Sequence, residues 1–245
     1  MASEPPFPPP PMSPEEPPPL PAGSSGGTPW ERRDSIGLVA ALVETTQEVL
    51  LRPADFFARM PVTGGVGGPL LYAVILGYLG LVAATVYNLV FRSVVGSLRS
   101  GFHQFGGRMA ELERIQHFLE GGAFTVVQLV TGPIWIVIGV FVAAGILHVL
   151  LMVVGASPRD FEATFRVVAY SHAVSVLGLL PFCGSLIGFV WWVVVATHGL
   201  RTVHRTSTAQ ALIAVLLPIV LCCCCCFGLG FLAAGTLATA LRQFQ

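Results

Sequence analysis

Long stretches of this chain carry no charged side chain, and that fixes the solvent in which it can fold. Pro69 to Phe91 is uncharged for 23 residues, Gly121 to Pro158 is uncharged throughout, and Val167 to Leu200 places 34 residues between Arg166 and Arg201. Ala209 to Leu241 is uncharged as well. A hydrocarbon core of about 30 Å is crossed by roughly 20 residues at 1.5 Å per residue. Only 11% of the 245 residues are charged and the mean hydropathy is +0.76, whereas soluble domains carry about 25% charge. A water-soluble enzyme and a wholly disordered chain are both excluded. Thirteen basic residues, all arginine, balance 13 acidic ones, so no basic excess exists to bind nucleic acid. What this describes is an all-α, polytopic integral membrane protein with about five transmembrane helices and a disordered proline-rich N-terminal tail.

The tail occupies residues 1–34. Twelve of the 19 prolines lie in residues 1–29, followed by Gly23-Ser24-Ser25-Gly26-Gly27. Proline fixes φ and removes a donor, which favours extended polyproline II over helix or sheet. The basic start and apolar run of a secretory signal are missing. A PxxP spacing at Pro6–Pro9 could dock an aromatic groove, but in so proline-rich a tract such a match arises by composition alone.

Residues 35–68 form an amphipathic segment. With Ser35 as N-cap, Ile36, Val39, Val43, Thr46 and Leu50 fall on one stripe of a helix through Leu51, and Pro53 closes it. The adjacent aromatics Phe56 and Phe57 suit either the headgroup layer or packing against the ends of the spans.

The membrane domain, 69–241, divides into spans at about 69–91, 134–154, 167–181, 185–200 and 212–236. Gly132-Pro133 predicts a break that leaves Ala123 to Thr131 as an interfacial or re-entrant lead-in. Pro181-Phe182-Cys183-Gly184 splits the 34-residue run into two short helices, with Arg166 and Arg201 snorkelling. Pro218 predicts a bend or the start of the last span. A four-span alternative lets 167–200 only dip into the bilayer. The arginine distribution favours a cytosolic N-terminus.

No Asp, Glu or Arg lies within a span core, which weighs against an ion-coupled transporter and an intramembrane aspartyl protease. Gly184-Ser185-Leu186-Ile187-Gly188 misses the G-x-S-x-G order of a nucleophile turn. Gly184 and Gly188 instead form a small-xxx-small surface for close helix approach. His148, His172 and His198 could relay protons or bind a metal, yet none has i, i+4 spacing or a carboxylate beside it. Interhelical hydrogen bonds with Ser171, Ser175, Thr197 or Asn88 account for them equally. Cys222 to Cys226 point around a whole helix circumference and read as small hydrophobes. Near Arg166, Ser157 as cap and Pro158 at the first position predict a helix start, and Tyr170 one turn beyond Arg166 places its hydroxyl at the interface. No catalytic, cofactor-binding or metal residue is identified.

From about residue 40 the chain resembles the Yip1-domain family in its bacterial form. The likeness runs through Glu48-Val49-Leu50, Pro53, Phe56 and Phe57, then Gly145-Ile146-Leu147-His148 and Gly155. Its most specific block is Phe161 to Ser171, which includes Arg166 and Tyr170, continuing to Pro181, Gly184 and Trp191; Gly199-Leu200, His204, Ser207, Ala211 and Pro218 complete it. The resemblance implies about five spans, a cytosolic N-terminus, the bacterial inner membrane and no enzymatic activity or cofactor. Eukaryotic members bind Rab-type GTPases through an acidic segment containing glycine and tyrosine. This chain has no equivalent, so that role is not carried over.

Two functions follow. One is a non-catalytic scaffold that organises protein partners, a second copy of itself or the lipid bilayer through helix contacts. The other is a small-molecule or lipid permease with a site at the broken helices. The family-motif and packing candidates are Pro53, Phe57, His148, Arg166, Tyr170, Pro181, Gly184, Gly188 and His204.

Overall fold

The computed structural model describes residues 27–99, 122–156 and 159–243, and every regular element among them is helical. The proline tract of residues 1–26 lies outside the described residues. Folding begins earlier than composition suggests, with a 3-10 turn at Pro29–Arg32. The amphipathic segment is divided: α1 is Arg33–Ile36, α2 is Leu38–Leu51 and α3 is Pro53–Arg59. Gly37, at φ +90°, breaks the helix that Ser35 was expected to cap. Ser35 instead donates its hydroxyl to the Arg32 carbonyl. Pro53 ends α2 as expected and also opens α3, where its missing N–H costs nothing.

Among the described residues, four helices are long and apolar enough to cross a membrane: Gly67–Phe91 within α4 (Gly67–Arg99), α5 (Gly122–Val153), α7 (Gly184–His204) and Thr208–Gly230 within α8 (Thr208–Gln243). The expected break at Pro133 is absent, and Ala123 to Thr131 is part of one continuous α5. In hydrocarbon a broken helix strands several backbone groups, whereas a proline inside a helix forfeits one bond. α8 runs through Pro218 on the same grounds.

A further stretch as long as a crossing is composite. α6 (Phe161–Tyr170) is followed directly by a 3-10 segment, Ser171–Leu179, and at the two characteristic rises these cover about 33 Å. α6 starts after Asp160 as N-cap, later than the Ser157–Pro158 start, whose two residues lie outside the described ones. Two side chains bond back onto the helix where it tightens. Ser171 Oγ donates to the Val167 carbonyl at 2.7 Å, and His172 Nδ1 bonds the Val168 carbonyl at 3.1 Å. The Pro181–Gly184 turn then reverses the chain, with Phe182 at φ +65°.

The slim segment sits between glycines on both sides. A Cβ at Gly80 of α4 would lie 3.1 Å from Ser175 Cβ, and one at Gly184 of α7 would lie 2.2 Å from the Leu177 carbonyl oxygen. Gly188 faces the Val174 carbonyl oxygen at 3.5 Å. The small-xxx-small surface of α7 is therefore occupied within the chain.

Candidate functional site

Arg166 is the centre of the end of the bundle where α4 begins. It sits in the middle of α6, its side chain only 2% exposed. One guanidinium nitrogen, Nη2, pairs with Glu31 from the Pro29–Arg32 turn. The other, Nη1, donates to the Gly65 carbonyl at 3.0 Å and lies 3.5 Å from Glu162 Oε1, one helical turn back. The Gly65 N–H returns a 2.7 Å bond to that same Glu162 oxygen. Three separate pieces of chain are thus clipped to one planar cation, whose fork geometry suits such bridging. The expectation that Arg166 snorkels to the surface gives way to this, because two carboxylates and a carbonyl come to the buried charge.

An aromatic layer lies against the hub. Trp30, fully buried, donates Nε1–H to the Gly68 carbonyl at 2.7 Å, and its backbone N–H goes to Thr45 Oγ1 at 2.8 Å. Ring centroids of Trp30 and Tyr72, Tyr72 and Tyr170, and Tyr170 and Phe56 are 5.5, 5.3 and 5.2 Å apart. Contacts at this spacing each add about 0.5–1.5 kcal/mol beyond area burial. The Tyr170 hydroxyl pairs with Thr28 Oγ1 at 3.1 Å and the Tyr72 hydroxyl with Thr46 Oγ1 at 2.9 Å. Tyr170 is buried rather than at the interface, because the N-terminal turn covers it. Phe56 and Phe57 are buried too, which decides for packing over the headgroup layer. Phe57 rests on α7 where Gly199 leaves room: a Cβ there would be 2.5 Å from Val167 Cγ1 and 3.0 Å from Phe57.

Beside the hub, Thr164 joins two histidines. The Arg159 N–H donates to His204 Nδ1 at 2.9 Å, so His204 carries its proton on Nε2. Nε2–H donates to Thr164 Oγ1 at 3.0 Å, and the Thr164 hydroxyl donates to His148 Nδ1 at 2.9 Å. One backbone amide thereby fixes two tautomers. His172 bonds only its own helix and does not join. Among the described residues no group of three His, Cys, Asp or Glu could hold a metal. Cys222 to Cys226 are all exposed on α8.

At the opposite end, marked by the hydrogen bond from the Tyr87 hydroxyl to the Leu179 carbonyl, a groove of about 950 Å³ opens between α4, the 3-10 segment and α7. Pro181 and Gly184 belong to its lining.

The family profile for the Yip1 domain matches residues 48–230. The chain belongs to the Yip1-domain family. Comparison with curated proteins and with solved structures finds no match. The Yip1 domain contains all the motif candidates: Pro53 and Phe57 lie beneath the hub, Arg166 and Tyr170 form it, His148 and His204 meet through Thr164, and Pro181, Gly184 and Gly188 shape the far turn. Thr28, Trp30 and Glu31 precede the matched residues, so the N-terminal turn is an addition docked onto the domain.

Thr164, Glu31 and Trp30 are not among the residues that the sequence singles out. A usable signal existed for the turn, since Thr28-Pro29-Trp30-Glu31 has the S/T-x-x-E spacing of a capping box, and Glu31 Oε2 does accept the Thr28 N–H at 3.2 Å. Nothing local announces that the same carboxylate reaches Arg166.

Proposed function

We propose that this Yip1-family membrane protein is a non-catalytic scaffold in the bacterial inner membrane, N-terminus cytosolic, that holds protein partners or a second copy against its helices. The observation that carries the reading is the destination of its buried polar groups. Arg166, Glu31, Glu162, Thr164, His148 and His204 are bonded to one another and to backbone, which builds a rigid platform. The chain enters that platform at Thr28, so the proline-rich tail starts from a fixed point beside the spans. Beyond Pro218, α8 exposes Val220, Leu221, Phe227 and Leu229, an apolar surface available to neighbouring membrane helices.

Photo-reactive residues at Phe227 and Leu229, activated in native membranes, test the reading. Adducts to a defined protein, or to a second copy, support it; lipid adducts alone on a monomer overturn it. The permease reading has less support, because the groove is blind: toward the Arg166 end it stops at Gly77, and Tyr72, Ala73, Leu76 and Tyr170 beyond it are buried.

A further inference from the structure

The groove at the turn end is concave and lined mostly by apolar residues. α4 lines it from Gly77 to Phe91, about 20 Å of helix, and α7 from Gly184 to Trp192, about 12 Å. These lengths bracket the roughly 15 Å depth of one leaflet's hydrocarbon. Its walls come close because the 3-10 segment is thin, and Gly178 on that segment leaves open space beside it. Rim residues Val90, Phe91, Leu180 and Phe189 are exposed and continue the apolar belt of the crossing helices. The groove is therefore continuous with the surface that contacts the bilayer. Its volume, about 950 Å³, lies at the upper end of ligand pockets.

The groove's polar side chains stand mostly toward one end, with Ser175 farther in, opposite Gly80. Asn88 and Ser185 line the groove close to the Tyr87–Leu179 bond and the Pro181 turn. Asn88 uses its amide nitrogen on the Ala84 carbonyl at 2.8 Å, leaving its amide oxygen without a protein partner among the described residues. Toward the blind end stand Gly77, Val174, Gly188 and Trp192. A polar mouth over an apolar slot one leaflet deep matches an amphiphile inserted tail first. Water in such a slot would find too few partners to stay.

We propose that this groove binds one acyl chain of a bilayer phospholipid, entering laterally, with the ester end at Asn88 and Ser185. The site is independent of the scaffold reading, since none of its lining residues lies on α8 and it needs no protein partner. A seated chain would hold α4 and α7 at their present spacing around the 3-10 segment.

The test uses the full-length protein in vesicles of phosphatidylethanolamine carrying a photo-reactive diazirine on one acyl chain, with adducts mapped by mass spectrometry. Adducts concentrated on α4 and α7 groove residues are expected. Gly178→Leu adds its side chain where a Cβ meets nothing within 4 Å, so it blocks the groove without a clash. It should cut groove adducts by about fivefold or more, because a close-packed site has no room for both. Ala84→Phe provides a second block. Gly139→Leu, on an exposed and equally open part of α5, should leave groove labelling unchanged. Adducts distributed over all lipid-facing helices in proportion to exposure, or groove labelling that survives both blocking variants, would overturn the proposal. Each variant's helicity by circular dichroism separates loss of the site from loss of the fold.

Discussion

Replacing Arg166 by methionine keeps most of the side-chain volume and removes the charge, which isolates what the guanidinium does. The wild-type side chain is 2% exposed and holds Glu31, Glu162 and the Gly65 carbonyl. Deleting one partner of a buried ion pair costs about 3–5 kcal/mol. Here the carboxylates keep 22% and 28% exposure, so water can recover part of their solvation and about 3 kcal/mol is the expected loss. By the scaling of domains of this size that is on the order of 6–12 °C in Tm, read by intrinsic tryptophan fluorescence during heating in detergent micelles. Glu31→Gln alone should cost less, because Glu162 still faces the cation. The decisive quantity is the coupling in the Arg166→Met/Glu31→Gln double-mutant cycle, expected at about 1–2 kcal/mol for direct partners. Effects that simply add, within about 0.5 kcal/mol, would refute the clip between the N-terminal turn and the domain.

Gly199→Ala should destabilise by about 1–3 kcal/mol through overpacking against Val167 and Phe57, whereas Gly145→Ala, with open space around it, should be neutral or slightly stabilising; thermal unfolding of both distinguishes them. Thr164→Val removes the link between His148 and His204 and leaves two ring nitrogens unpaired, for an expected loss of about 2 kcal/mol in the same assay. Replacing Cys222 to Cys226 together by alanine should shift stability by less than about 1 kcal/mol, because the thiols are exposed and take part in no core contact; a larger loss would mean that this stretch packs.

The helices were legible wherever one rule acted alone. Uncharged length located α4, α5, α7 and α8, and Pro181 with Gly184 located the turn, because both signals are local. Pro133 misled for an instructive reason: breaker rules are calibrated in water, where a freed backbone group finds a partner, and in hydrocarbon the helix is kept instead. The 3-10 tightening at Ser171 was hidden because serine and histidine were read as interhelical donors, whereas both turn back onto their own helix. Arg166 was expected to snorkel, whereas carboxylates come to it in the interior. Its partner, Glu31, stands 135 positions away, behind a tract that composition marks as tail. His148 and His204 are joined by a threonine on a third helix, and no spacing rule connects three separate elements.

The central claim is that α6 and its 3-10 extension cross the bilayer, which puts the Pro181–Gly184 turn on the side opposite Arg205 and Ser35. Single cysteines at Phe182, Arg205 and Ser35 in a variant without the native cysteines, exposed to a membrane-impermeant maleimide in oriented vesicles, read this directly. Labelling of position 182 from one side, and of 205 and 35 from the other, is the predicted result. Labelling of 182 from the same side as 35 would contradict the crossing and the five-span bundle with it.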